Sequence, residues 1–185
     1  MIKFETSVFS KDKIINTDKK KIILVGKSNV GKSSFINCIY NQKKLAKSSS
    51  TPGKTKCINY YNINDEYYVC DLPGYGYSTM SKSEKESINK LVDYFLGINK
   101  DSHIFMLVDI RHAPTKDDKI MYDYLDLNGF NFDIIATKYD KIPKTKVNDY
   151  TKQIMLTLFT TKEIIPFSSD NKINKDYLLN MIKEL

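Results

Sequence analysis

The chain has 185 residues, of which 41% are hydrophobic and 28% charged, with a net charge of +7 and a sequence pI of about 9.1. A chain of this length and composition can bury about 70% of its unfolded surface, so it is not a disordered protein, and we expect one globular domain over residues 1–185. No apolar run approaches the roughly 20 residues that span a bilayer, and the N-terminus lacks the apolar stretch of a signal peptide. These features predict a soluble cytoplasmic protein without a membrane partner.

The excess of basic over acidic residues has two interpretations. Clustered cations bind nucleic-acid backbones, which favours an RNA-contacting surface. However, Arg111 is the only arginine among 29 basic residues, and such lysine enrichment is also typical of an AT-rich genome. Composition therefore leaves RNA binding and ordinary solvated lysines equally open. The three cysteines, Cys38, Cys57 and Cys70, are widely spaced, and we interpret them as small buried residues in a reducing compartment.

Apolar, β-rich runs alternate along the chain with segments of helical periodicity. The predicted strands are at residues 22–25, 57–63, 67–71, 104–109, 132–136 and 163–167, and the predicted helices are at 32–41, 83–97, 116–128, 144–158 and 174–184. This alternation predicts an α/β protein with a mainly parallel sheet and helices on both of its faces.

Two features predict how the sheet departs from a purely parallel one. Only three residues, "NDE", separate the runs at 57–63 and 67–71, which is too short for a helical crossover. The two runs should therefore form an antiparallel hairpin at one edge. Residues 4–9 could add a further edge strand, so the sheet should have six or seven strands.

The strongest motif lies between the first buried strand and the first helix. Residues 26–33 read "GKSNVGKS" and match G-x-x-x-x-G-K-[ST] in the strand–loop–helix context that gives this pattern its meaning. The glycines let backbone N–H groups turn toward phosphates, Lys32 reaches the β- and γ-phosphates, and the Ser33 hydroxyl can ligate Mg²⁺. The motif predicts a phosphate-binding loop but does not indicate which base the bound nucleotide carries; that prediction rests on other segments.

The segment Thr137–Asp140, "TKYD", follows a buried apolar run, at the edge where ligands bind in such sheets. A carboxylate with two acceptor oxygens suits the N1–H and N2–H₂ donors of guanine, and adenine offers no such pair of donors. The stem of Lys138 can lie along the base plane. Further on, Phe167–Ser169 could bind the base carbonyl through backbone and hydroxyl groups. These segments favour guanine.

Two more segments are candidates for sensing the γ-phosphate. "DLPG" at 71–74 follows a predicted strand, so Asp71 can act beside Mg²⁺ and the Gly74 N–H can meet the γ-phosphate. "STPGKT" supplies Thr55 as a second hydroxyl for Mg²⁺. Loops of this kind order around a triphosphate and relax after hydrolysis. Accordingly, Lys32, Thr55 and Gly74 are the candidate catalytic groups, and Ser33, Thr55 and Asp71 form the candidate metal site.

From about residue 20 onward, these motifs together with "DIRHAPTKDD" and "IATKYDKIPK" resemble the EngB (YihA/YsxC) family of bacterial GTPases. The resemblance implies a P-loop GTPase fold, GTP and Mg²⁺ binding, and a monomer that assembles the large ribosomal subunit from its rRNA and proteins, with a family link to cell division and septation. Carried over by position, it implies that the nucleotide contacts are Gly26, Lys27, Ser28, Asn29, Val30, Gly31, Lys32, Ser33, Gly53, Lys54, Thr55, Lys56, Cys57, Asp71, Leu72, Pro73, Gly74, Thr137, Lys138, Tyr139, Asp140, Phe167, Ser168 and Ser169.

Two positions bear on how fast such an enzyme would turn over. Ras-like GTPases place a glutamine directly after D-x-x-G to orient the attacking water, whereas this chain has Tyr75, so slow intrinsic hydrolysis is expected. In GTPases that this chain resembles, an asparagine at the position of Asn29 can ligate K⁺, which leads us to expect K⁺-stimulated turnover. The alternative is that Asn29 only braces the loop by hydrogen bonds.

Other readings remain open at this point. Arg111 and His112 could contact a switch segment or a partner, and Asp109 with Arg111 could equally brace a loop. The whole protein could instead be an autonomous signalling NTPase, or a nucleotide-binding scaffold without turnover, that acts on a protein partner.

Overall fold

The computed structural model describes residues 1–46, 56–76 and 80–185. Within these ranges the chain forms seven strands and five α-helices in an alternating order. The strands are β1 (Ile2–Val8), β2 (Lys20–Gly26), β3 (Ile58–Ile63), β4 (Tyr67–Asp71), β5 (His103–Asp109), β6 (Asn131–Thr137) and β7 (Ile164–Pro166). The helices are α1 (Lys32–Ile39), α2 (Lys82–Gly97), α3 (Lys116–Leu127), α4 (Val147–Leu158) and α5 (Lys175–Glu184).

All seven strands belong to one sheet with the order β1-β3-β4-β2-β5-β6-β7. The pairs from β4 through β7 are parallel, whereas β3 runs antiparallel to both of its neighbours, β1 and β4. The predicted α/β fold with a mainly parallel sheet is thereby confirmed. The N-terminal segment supplies the additional edge strand, so the β3–β4 hairpin lies one strand in from the edge.

The turn of the β3–β4 hairpin has a clear chemical basis. Asn64 and Asp65 both adopt left-handed backbone conformations, with φ values of 50° and 66°. The N–H of Glu66 donates to the carbonyl of Ile63 across the turn at 2.8 Å. A two-residue turn with positive φ at both central residues matches the right-handed twist of the strands that it joins. Asparagine and aspartate tolerate positive φ better than most residues.

The sheet is covered on both faces because side chains alternate along each buried strand. On β2, Ile23 and Val25 pack into the core beneath α2, α3 and α4, whereas Ile22 and Leu24 pack into the core beneath α1 and α5. Helix α4 begins at Val147, and a single 3₁₀ turn occupies Lys144–Lys146 where the sequence predicted the start of the helix. No helix among the described residues has the length and apolar character needed to cross a bilayer.

Helix α1 is attached to the core by Phe35, which is 1% exposed. Its ring centroid lies 5.9 Å from that of Phe105 on β5 and 5.0 Å from that of Phe167 after β7. Phe35 therefore fixes the helix that directly follows the phosphate-binding motif against β5 and against the segment that follows β7.

We predict that Phe35→Ala lowers the free energy of unfolding by about 3–5 kcal/mol, since it removes a fully buried ring and leaves a cavity. Urea denaturation followed by circular dichroism would measure the loss. Phe9→Ala is the matched control, because Phe9 is 67% exposed and its truncation should change stability by less than about 0.5 kcal/mol. Equal losses in the two variants would contradict the proposed anchoring of α1.

Candidate nucleotide-binding site

The parallel register brings the predicted site segments together at one edge of the sheet. Leu24 on β2 pairs with Asp71 on β4, and Gly26 pairs with Leu107 on β5. Asp109 at the end of β5 pairs with Thr137 at the end of β6. The carboxyl ends of four neighbouring strands therefore lie side by side, which is where ligands bind in open α/β sheets.

The phosphate-binding loop leaves β2 at Gly26 and enters α1 at Lys32. Gly31 has a φ of 115° and precedes the first helical residue, and Asn29 has a φ of 61°. A side chain at Gly31 would be strained in this backbone conformation, which explains the glycine of the motif. The N-terminus of α1 thus opens onto the loop, where free backbone N–H groups and the helix dipole favour an anion.

The motif lysine and the aspartate after β4 meet beneath the loop. Lys32 is 9% exposed and its Nζ donates to the Gly26 carbonyl at 3.3 Å, while Asp71 Oδ1 lies 3.9 Å from that Nζ. Among the described residues, Asp71 Oδ1 is buried without a hydrogen-bond partner. Burial raises the pKa of Asp71 to about 6 against the opposing effect of Lys32, and burial also lowers the pKa of Lys32. The attraction between Lys32 and Asp71 does not fully offset the cost of burying their charges, so a charged ligand that contacts either group would stabilise it.

The segment after β4 packs directly on the phosphate-binding loop. A Cβ atom at Gly74 would lie 2.8 Å from the backbone nitrogen of Ser28 and 2.9 Å from its Cα, so no larger residue fits. The Ser28 N–H donates to the carbonyl of Tyr75 at 3.0 Å. The structure therefore brings "DLPG" and "GKSNVGKS" into contact, as their predicted shared role requires.

The end of β6 supports the phosphate-binding loop from the other side. The Thr137 hydroxyl is within 2.6 Å of the Val30 carbonyl and 3.1 Å of the Val108 carbonyl. The Lys138 Nζ donates to the Asn29 carbonyl at 2.9 Å and to Asp109 Oδ2 at 2.8 Å. These contacts couple the predicted base-binding segment to the phosphate-binding loop.

Asp109 is bound by two cations. Arg111 donates through Nε and Nη2 to its two carboxylate oxygens at 2.9 and 2.8 Å, and Lys138 provides the third contact. Burial raises the pKa of Asp109, but the hydrogen bonds from Arg111 and Lys138 outweigh it, and the net pKa lies well below the usual range. Asp109 and Arg111 therefore brace this loop, in accord with one of the two roles considered from the sequence.

The predicted guanine-recognising carboxylate is held by a serine from the neighbouring loop. Asp140 Oδ1 accepts from the Ser168 hydroxyl at 2.7 Å, and Oδ2 lies 2.8 Å from the Nζ of Lys141. Burial raises the pKa of Asp140, but the hydrogen bonds from Lys141 and Ser168 outweigh this effect. The pKa is therefore lower than usual, and the carboxylate is ionised at neutral pH. Each oxygen keeps a lone pair for a guanine N–H donor.

Ser168 is fully buried, with its hydroxyl directed to Asp140 and accepting from the Asn171 N–H at 3.0 Å. Its hydroxyl therefore orients the carboxylate, and the contact to a base carbonyl stays a prediction for the backbone groups of Phe167–Ser169. The Tyr139 N–H donates to the Phe167 carbonyl at 3.1 Å, which ties the two segments together.

The upstream predicted segment is only partly described. Gly53, Lys54 and Thr55 lie outside the described residues. Lys56 forms a surface ion pair with Glu84 of α2 at 2.5 Å, and Cys57 is buried directly before β3. Their assignment as nucleotide contacts remains a prediction.

One connection in this region is not predictable from the sequence motifs. The Tyr75 hydroxyl donates to Asp118 Oδ1 at 2.9 Å, and Asp118 is the N3 residue of the capping box that Thr115 begins at α3. The T-x-x-D pattern at 115–118 signals such a cap from sequence alone, but it gives no indication that a tyrosine would bind the same carboxylate.

A phosphate-binding loop and an aspartate-bearing base loop at the carboxyl edge of a mostly parallel sheet are the arrangement of a P-loop GTPase domain. The family model described as "50S ribosome-binding GTPase" matches residues 21–138. The GTP-binding protein EngB of Clostridium kluyveri is 46% identical over 182 residues, covering 97% of this chain and 90% of that protein. Its counterpart in Bacillus subtilis is 44% identical over 168 residues, covering 89% and 86%. The chain belongs to the EngB family of GTP-binding proteins.

Solved structures agree on the fold. A crystal structure of a GTP-binding protein engB has a TM-score of 0.72 at 24% identity and covers 89% of this chain and 97% of that chain. Aquifex aeolicus Era bound to GDP and AlF₄⁻ has a TM-score of 0.66 at 23% identity, with coverages of 90% and 56%. The family model and the two EngB relatives thus confirm the resemblance found in the sequence, and together with the solved structures they confirm the P-loop GTPase fold.

We predict that Asp140→Asn weakens GTP binding and improves XTP binding, because the amide replaces one acceptor with a donor that opposes the guanine N–H groups but complements the additional carbonyl of xanthine. Competition of GTP and XTP against a fluorescent guanine nucleotide would measure the change. An unchanged GTP/XTP preference would refute the assignment of Asp140.

Ser168→Ala is the companion variant, since it leaves the carboxylate in place and removes the hydroxyl that orients it. A hydrogen bond to a charged group contributes about 1.5–3 kcal/mol, so GTP and GDP should both bind at least about tenfold more weakly. Their preference over XTP should stay as in the unmodified protein. A switch of base preference in this variant would show that orientation alone, rather than the acceptor pair, determines recognition.

Proposed function

We propose that this cytoplasmic, monomeric GTPase is a molecular switch in the assembly of the large ribosomal subunit, with the family link to cell division and septation following from that role. The observation that carries the proposal is the match of residues 21–138 to a family described as ribosome-binding GTPases, on a chain whose phosphate and base segments meet in one site. In this proposal the GTP form docks on a large-subunit precursor and hydrolysis releases it.

Magnesium fits the residues that this site contains. Asp71 offers a buried carboxylate oxygen without a partner among the described residues, and Ser33 lies in the first turn of α1, directly after Lys32. We assign Mg²⁺ to Ser33 and Thr55 with Asp71 behind them, where the ion would neutralise phosphate charge. Lys32 would neutralise the same oxygens from the loop, and the Gly74 N–H would donate to the γ-phosphate.

Slow intrinsic hydrolysis is proposed from the residue that follows "DLPG". The Tyr75 hydroxyl is bound to Asp118 and its ring offers no group that can orient a water for attack as the glutamine of Ras-like enzymes does. Turnover would therefore depend on positive charge supplied near the phosphates by another group.

The candidate for supplying that charge is a potassium ion held by Asn29. Asn29 is exposed on the phosphate-binding loop in a left-handed conformation. Its backbone carbonyl accepts from Lys138, and its side chain has no hydrogen-bond partner among the residues that the structure describes. The side-chain oxygen is thus available as a ligand, which supports the potassium role over loop bracing.

We predict that GTP turnover is faster in KCl than in NaCl at equal ionic strength, by about tenfold, since a correctly placed cation contributes on the scale of one oxyanion-hole donor or less. Phosphate release at saturating GTP would measure both rates. Asn29→Ala should abolish the difference between the salts while GDP affinity changes little. Equal rates of the unmodified protein in the two salts would eliminate the potassium role.

Exposed lysines support contact with ribosomal RNA. Lys144 and Lys146 follow the base-binding segment, and Lys43 and Lys44 follow α1. None of these four forms an ion pair within the described ranges 1–46, 56–76 and 80–185, so their charge is free for phosphate backbones.

We predict that the protein binds large-subunit particles more tightly with a non-hydrolysable GTP analogue than with GDP, and that binding falls steeply as salt rises from 50 to 200 mM. Co-sedimentation with purified large-subunit and small-subunit particles would measure both effects, with the small subunit as the control. Absence of binding in either nucleotide state would instead favour an autonomous NTPase that acts on a protein partner.

A further inference from the structure

The residues that directly follow "DLPG" are wedged between two parts of the molecule. On one side is the phosphate-binding loop, against which Gly74 packs without room for a side chain. On the other side is the start of α3, where Asp118 lies. Tyr75 contacts both sides at once, because its carbonyl accepts from Ser28 and its hydroxyl donates to Asp118.

The acceptor of the Tyr75 hydroxyl is unusually well fixed. Asp118 is 5% exposed, and its Oδ2 accepts from the Thr115 backbone N–H at 2.8 Å and from the Thr115 hydroxyl at 2.7 Å. Its Oδ1 remains for Tyr75 at 2.9 Å. Both oxygens are therefore committed, and the carboxylate is held in place by the helix that it caps.

The tyrosine is a hydrogen-bond donor over the whole physiological pH range. Burial of its hydroxyl raises the pKa of Tyr75 well above the ordinary value, and the neighbouring Asp118 carboxylate raises it further. The bond therefore joins a protonated hydroxyl to the Asp118 carboxylate, and hydrogen bonds to carboxylates are among the stronger kinds in proteins.

We propose that Tyr75 is a positioning residue for the γ-phosphate: its hydroxyl, bound to Asp118, holds the Gly74 backbone on the phosphate-binding loop before the triphosphate arrives. The inference rests on the proposed role of the Gly74 N–H in sensing that phosphate. The residue at the position of the Ras-like glutamine would then contribute to triphosphate binding through α3 and not through the attacking water.

The physical reason is preorganisation. When a ligand must order a flexible segment, the free energy of ordering makes binding weaker. A segment that is already held in place carries no such cost. GDP has no γ-phosphate to meet Gly74, so only the triphosphate should benefit from the bond between Tyr75 and Asp118. Discrimination between GTP and GDP is therefore the quantity that this bond should control.

The test is Tyr75→Phe, which removes the hydroxyl and keeps the ring. We expect binding of a non-hydrolysable GTP analogue to weaken about tenfold, as for the loss of a hydrogen bond to a charged group, and GDP binding to stay within twofold. Fluorescent-nucleotide titrations would give both dissociation constants. A merely structural role would lower the thermal unfolding midpoint and weaken both nucleotides equally.

A double-mutant cycle assigns the effect to Asp118. Alanine has no side-chain partner for the Tyr75 hydroxyl, so in the Asp118→Ala background Tyr75→Phe should change analogue binding by less than threefold. Tyr40→Phe is the matched control, because Tyr40 shares a 3.1 Å hydroxyl contact with Tyr67 at the far end of α1. It should change neither dissociation constant.

The outcomes separate this inference from the function on which it rests. If the unmodified protein binds neither GDP nor the analogue, the proposed nucleotide switch is wrong. If the unmodified protein binds both and Tyr75→Phe leaves their ratio unchanged, the site stands and the positioning role is overturned. Tighter analogue binding by Tyr75→Phe would also overturn it, because the bond would then hold a conformation that opposes the triphosphate.

Discussion

The site depends on the parallel register of the four central strands. Because β4, β2, β5 and β6 run in the same direction, Asp71, Gly26, Asp109 and Thr137 come to one edge of the sheet. The strands are buried on both faces, so a shift of one residue would exchange the two cores and is strongly disfavoured. The hydrophobic packing of the sheet thereby fixes where the polar groups of the site lie.

The charges at this edge are arranged in two different ways. Asp109 and Asp140 are compensated by cations and hydroxyl donors, and their pKa values are lowered. Lys32 and Asp71 are buried close together but incompletely compensated, so the pKa of Asp71 is raised and that of Lys32 is lowered. The first arrangement braces loops. In the second, the attraction between the two charges offsets only part of the cost of burying them, and a charged ligand can offset more of it.

Two side chains connect the segments at this edge of the sheet with each other and with helix α3. Lys138 joins the base-binding segment to the phosphate-binding loop, and Tyr75 joins the segment after "DLPG" to α3. A change in the segment after "DLPG" is therefore transmitted to α3 through the Tyr75 hydroxyl. Coupling between the nucleotide and α3 requires a packed element that has two arrangements, which GTP and GDP stabilise to different extents.

The alternation of strands and helices, the β3–β4 hairpin and the phosphate-binding loop follow from the sequence alone, and so does the prediction that Asp140 recognises the base. Those signals are local, since periodicity, turn residues and motif spacing act over a few consecutive residues. Three contacts become visible only in the folded chain: Ser168 orients Asp140, Lys138 contacts Asn29 across 109 positions, and Tyr75 binds Asp118. These contacts depend on which loops the sheet brings together, and a short motif carries no information about a partner that is distant in the chain.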